Sequence, residues 1–102
     1  MGIKSKAIKY LEKLRGHELG FGEMIYSLRK ADEISQITLA KKLGMTRAYL
    51  CDIEKGRRTV SLEKAMQFAK AMGYSPDSFV ARAINDQLKQ AKLQLRVKLE
   101  AA

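Results

Sequence analysis

Arg47, Ala48, Cys51 and Asp52 share one side of any helix that contains them, because steps of about 100° per residue bring these spacings together. The chemistry of that set is recognition. An arginine can bond guanine O6 and N7 together, an alanine methyl can meet the thymine methyl, and an aspartate can accept from cytosine N4. Arg47 could instead grip a phosphate, and Asp52 could pair with Arg47 or a nearby lysine. Cys51 is either a small residue at a serine-like position or a thiol whose oxidation would put a bulky or charged group on this face. Groups suited to phosphate surround the set. Gln36 sits where a helix start leaves amides free. Thr46 and Tyr49 offer hydroxyls, and Lys55, Arg57 and Arg58 form a basic cluster that would add affinity without sequence choice.

Two short helices and a tight turn would hold these residues. Ser35 is a good N-cap, and Leu39, Ala40 and Leu43 recur behind it at helical spacing. Gly44 falls where the first helix must stop and reverse, since glycine tolerates positive φ cheaply. Thr46 caps the second helix, whose buried stripe is Leu50 and Ile53. A short helix with a polar, small and partly cationic outer face fits a DNA major groove. The segment from Ser35 to Gly56 therefore predicts a helix-turn-helix.

The run from Met24 to Met72, roughly half of the chain, resembles the phage lambda repressor and Cro family, also called the xenobiotic-response-element family. The matching residues are Arg29, Ser35-Gln36, Leu39-Ala40, Leu43-Gly44 and Thr46. They continue through Tyr49-Leu50, the run Ile53 to Arg58, Ser61-Leu62 and the run Phe68 to Ala71. Val60 departs from a common proline and Cys51 from a common serine. The resemblance implies a DNA-contacting glutamine at Gln36. It also pairs Glu54 with Arg29, as a structural ion pair and not a catalytic carboxylate. The segments LCDIEKGRRTVS and AMGYSPDSFV, with a helix before the domain and a strand-like tail after it, look like a Hig-type antitoxin or addiction-module regulator. Such a protein would bind a small toxin and repress its own operon. A departure is charge, since many antitoxins are acidic.

Composition agrees with a polyanionic partner. The 102 residues carry a formal net charge of +9, spread without a lysine-rich block. That length suits one globular unit, divided here into an N-terminal amphipathic helix and glycine-rich hinge (1–20), a helix-turn-helix core (21–73) and a C-terminal helix and tail (74–102). One cysteine forms no internal disulfide, and no apolar run approaches the roughly 20 residues of a membrane span, so a cytoplasmic location without membrane contact is expected. His17, the only histidine, has no metal-ligand spacing to Cys51, and GHELGFG lacks the lysine of a phosphate-binding loop. Neither enzyme, metal nor cofactor is expected.

Ala7, Ile8, Leu11 and Leu14 predict a helix over residues 5–15, and the glycines of 16–22 predict a loop. Met24, Ile25, Leu28 and Ala31 should face inward from the next helix, and Leu62, Ala65, Met66 and Ala69 from the helix capped by Ser61. Ser75-Pro76 opens a last helix with an apolar stripe of Phe79, Val80, Ala83, Ile84 and Leu88. Beyond it Leu93, Leu95, Val97 and Leu99 alternate with polar residues, and period two predicts a strand. Leucine, lysine and glutamine also suit a continued helix. A lone strand would need another chain to pair with, so helix and tail together are the expected dimer or partner surface. The fold expected is all-α: a lambda-repressor-like, five-helix DNA-binding domain with an extra N-terminal helix and a C-terminal β-strand. The function expected is a dimeric regulator, an autorepressor reading a palindromic operator. The alternatives are a module that neutralises a toxin through its C-terminal helix and tail, and a stand-alone phage or restriction-system controller.

Overall fold

Three serine or threonine hydroxyls start three of the helices. The computed structural model describes residues 19–101. Among them lie α1 (Phe21–Ala31), α2 (Gln36–Leu43), α3 (Arg47–Glu54), α4 (Leu62–Met72) and α5 (Pro76–Ala101). The expected helix over residues 5–15, and His17, fall outside the described residues. Ser35, Thr46 and Ser61 have extended backbone, and their hydroxyl oxygens accept from the amides of Thr38, Tyr49 and Lys64 at 3.1, 3.1 and 3.0 Å. Each such cap stabilises its helix by about 1 kcal/mol. Gly44 ends α2 at φ 66° and Gly73 ends α4 at φ 77°, in the left-handed region where a Cβ is costly.

Among the described residues one apolar cluster joins the helices. The ring of Phe21 meets Phe68 of α4 and Phe79 of α5 edge-on, at centroid distances of 5.3 and 6.1 Å. Around these rings pack Met24, Ile25 and Leu28 of α1, Leu39 of α2, and Leu50 and Ile53 of α3. Accordingly α4 lies on α5, α1 on α3 and α5, and α2 on α3 and α4.

Several expectations need correction. The loop predicted over 16–22 ends early, because α1 begins at Phe21. The buried ring anchors that start, and the Phe21 amide donates to Asp86 Oδ2 of α5 at 3.0 Å. Ala31 is exposed at the end of α1. In α4 the buried face is Ala65, Phe68, Ala69 and Met72, whereas Leu62 and Met66 are exposed. Burying the large Phe68 ring gains more than burying Met66, and the two cannot both face the core.

The predicted C-terminal β-strand is absent: Leu93, Leu95, Val97 and Leu99 all lie in α5, and no strand occurs among the described residues. The alternation was ambiguous, since residues four apart also stack on one helix face. Leu95 and Leu99 therefore share a side of α5, while Leu93 lies on the opposite one. Helix already formed from Pro76 propagates at one hydrogen bond per residue, through a segment free of glycine and proline. A strand would have needed a partner edge. No helix among the described residues is long and apolar enough to cross a membrane.

Beyond Gly73 the chain is pinned by Tyr74, whose hydroxyl donates to Asp32 Oδ2 at 3.0 Å. Burial, aided by that carboxylate, pushes the phenol up to about 12. The fold thus favours the protonated phenol, and its contribution is complete below the unfolded value near 10. It is lost as pH rises through the folded value. The thermal midpoint of the parent should fall relative to Tyr74→Phe between about pH 10 and 12, and the difference between them should be constant below about pH 9. Parallel curves throughout would contradict this.

Candidate nucleic-acid interface

The exposed outer surface of α2 and α3 is held from beneath by α4 under α2 and α1 under α3. Gly22 lets α1 lie against the end of α3: a Cβ there would overlap the Ile53 carbonyl oxygen and stand 2.9 Å from that of Glu54. This contact brings Arg29 of α1 to Glu54 at the end of α3. Arg29 Nε donates to Glu54 Oε2 at 2.7 Å and Nη2 to Oε1 at 3.0 Å, with side chains only 7% and 3% exposed. Nη1 donates to the Ile34 carbonyl at 3.0 Å, so all three guanidinium nitrogens are engaged. The hydrogen bond to Glu54 raises the Arg29 pKa, against the opposing effect of burial.

From this buried pair a chain of bonds runs outward. Gln36 Nε2, at the first position of α2, donates to Glu54 Oε1 at 2.9 Å. Gln36 Oε1 accepts from Arg47 Nε, at the first position of α3, at 3.2 Å. Arg47 and Ala48 are exposed on the opening turn of α3, directly after the Thr46 cap. Cys51 and Asp52 are half-buried one turn later.

A second group gathers at the other end of α3. Gly56 takes φ 77° and reverses the chain, and the Arg57 amide donates to the Asp52 carbonyl at 2.9 Å. Asp52 Oδ1 then accepts from Arg57 Nη1 at 3.2 Å, while Oδ2 lies 3.8 Å from Arg58 Nε. Arg58 also stacks over the Tyr49 ring at 4.6 Å, and Lys55 is exposed beside them. Sequence reading missed two partners here. The stacking of Arg58 on Tyr49 crosses from helix to loop, and Lys89 of α5 joins Lys55 and Arg58 around a cavity of about 420 Å³. Neither has a periodic signal.

The apolar residues suggested for a partner surface do not form one face. Phe79 and Ala83 belong to the core and Val80 is half-buried. Ile84, Leu88, Leu95 and Leu99 are exposed, and Leu93 lines the cavity near Lys89.

Residues 25–79 match the family model described as helix-turn-helix. Among curated proteins the chain is 32% identical over 71 residues to the immunity repressor protein of Bacillus phage phi105, covering 70% of this chain and 49% of that protein. It is 37% identical over 57 residues to the control protein C.BamHI of Bacillus amyloliquefaciens, covering 55% of this chain and 70% of that one. The match thus spans about half the length of the phage repressor. Among solved structures it is similar to the restriction-modification controller protein C.AhdI of Aeromonas hydrophila, at a TM-score of 0.54 and 37% identity, covering 58% of this chain and 89% of that one. With two capped helices about a left-handed glycine, and a family match over more than half its residues, the chain belongs to the helix-turn-helix family of the lambda-repressor type.

Proposed function

We propose that the protein is a dimeric, sequence-specific transcriptional regulator that acts on DNA in the cytoplasm, as a stand-alone controller of the phage-repressor or restriction-controller kind. The observation that carries this reading is the exposed opening turn of α3, with Arg47 and Ala48 outward and cationic groups beyond its far end. Arg47, Ala48, Cys51 and Asp52 form the base-facing side. Gln36, Thr46, Tyr49, Lys55, Arg57 and Arg58 meet phosphates. In the free protein Asp52 is engaged with Arg57, which makes it a holder of that arginine as well as a base acceptor. Footprinting on the protein's own promoter should show protection of an inverted repeat with half-sites about one helical turn apart. A promoter left unprotected would count against autorepression.

The phosphate role has its own test. Exchanging Arg57 and Arg58 together for glutamine should weaken binding to all sequences alike. The slope of log affinity against log salt should become shallower by about 1.8, the sum for two phosphate contacts. An unchanged slope would remove both residues from the interface.

Pairing of two copies is supported by the exposed stripe of Ile84, Leu88, Leu95 and Leu99 along α5, with Leu88 52% and Leu95 58% exposed. Leu88→Asp combined with Leu95→Asp should give a monomer in sedimentation, and a surviving dimer would exclude this face. The toxin partner of the addiction-module reading has no support in the three relatives above and is not part of the proposal.

A further inference from the structure

We infer that Glu54 is a positioning residue for base reading, acting through Gln36 to orient Arg47; this rests on Arg47 facing bases, as proposed above. A carboxylate only accepts hydrogen bonds, so the amide nitrogen of Gln36, not its oxygen, must turn toward Glu54. That choice points Gln36 Oε1 outward, where it can only accept, and it accepts from Arg47 Nε. One buried charge thus sets the polarity of an amide at the surface, and the amide sets the arginine. With Nε engaged, Arg47 keeps Nη1 and Nη2 for an end-on pair of bonds to guanine. Glu54 itself cannot swing, because Arg29 holds both of its oxygens from α1. A long side chain that would otherwise lose rotamer freedom on binding is therefore ordered before DNA arrives.

The links differ in strength, and this decides where to cut them. The Arg29–Glu54 pair is buried and charge-assisted, whereas Gln36 meets Arg47 at the exposed surface through a longer bond. Gln36→Met removes both amide bonds, keeps the side-chain length and leaves Arg29 and Glu54 paired, so it should fold. Glu54→Gln keeps the shape but lets the amide at 36 turn over and present hydrogens to Arg47.

An operator selected from a random duplex pool supplies the probe. Discrimination is then measured at the base pair where Arg47→Ala loses it. Gln36→Met should reduce that discrimination about five- to tenfold, within the range of one bidentate contact, and should add nothing in an Arg47→Ala background. Glu54→Gln, assayed well below its own melting midpoint with its folded fraction checked by circular dichroism, should show the same loss. Additive losses from Gln36→Met and Arg47→Ala would overturn the inference, making Gln36 an independent contact. Full discrimination by folded Glu54→Gln would also overturn it, leaving Glu54 a purely structural role. If Arg47→Ala discriminates as well as the parent at every position, the base-reading assignment itself fails, and the positioning inference falls with it.

Discussion

Glu54→Ala is expected to destabilise the protein by about 3–5 kcal/mol, the usual cost of removing one member of a buried ion pair. The methyl group would leave Arg29 charged, 7% exposed at its side chain and stripped of two of its three acceptors. Gln36 would lose its inner acceptor as well. For a domain of this size each kcal/mol shifts the thermal midpoint by roughly 4–8 °C, so a drop of at least about 12 °C should be seen by circular dichroism. The cost arises largely from the abandoned charge and not from the net worth of the pair. The double variant Arg29→Met, Glu54→Leu should therefore recover most of the stability. Equal midpoints for Glu54→Ala and the parent would show that the pair is solvated. A double variant no better than Glu54→Ala would show that the destabilisation does not come from the unpaired Arg29 charge.

Gly22→Ala should also be strongly destabilising, against the ordinary trend. Inside a helix, glycine to alanine normally stabilises by about 0.5–1 kcal/mol. Here the added methyl would overlap the Ile53 carbonyl oxygen and crowd the carbonyl of Glu54. These are backbone atoms at the end of α3 and cannot rotate aside as a flexible side chain would. The helices must separate, and a loss of about 2–3 kcal/mol is expected, the upper range for an overpacked core. Urea denaturation with an unchanged slope would measure it. A gain in stability would mean that α1 and α3 part at little cost. The separation would also stretch the Arg29–Glu54 bonds, so this variant and Glu54→Ala should be less than additive.

The family resemblance implies the Arg29–Glu54 pair, but no pattern in the chain contains the close approach that makes Gly22→Ala costly. Gly22 looked like part of a glycine-rich loop because three glycines stand between Gly16 and Gly22. Its place inside α1 follows from Phe21, whose ring is buried against Phe68 and Phe79, residues far along the chain. The tail failed for a related reason. Leu93, Leu95, Val97 and Leu99 satisfy period two and helical spacing at once, and the choice fell to the helix already running from Pro76. Spacing alone points Leu62 and Met66 inward, yet helical spacing locates a stripe only to within one residue's rotation. The bulk of Phe68 decided the angle.

What the amino-acid sequence determined alone is local. Hydroxyls at Ser35, Thr46 and Ser61, and left-handed glycines at Gly44 and Gly73, act on backbone groups within a few residues of themselves. Their effect needs no distant partner, so the starts of α2, α3 and α4 and the ends of α2 and α4 could be read along the chain, whereas the start of α1 and the extent of α5 could not. The family resemblance implied the Arg29–Glu54 pair, and the tertiary structure alone decided which groups share the other hydrogens: Glu54 with Gln36, Gln36 with Arg47, and Asp52 with Arg57. A hydrogen bond is made or lost over a few tenths of an ångström. Packing of α1 under α3 sets that distance, and spacing along a chain cannot.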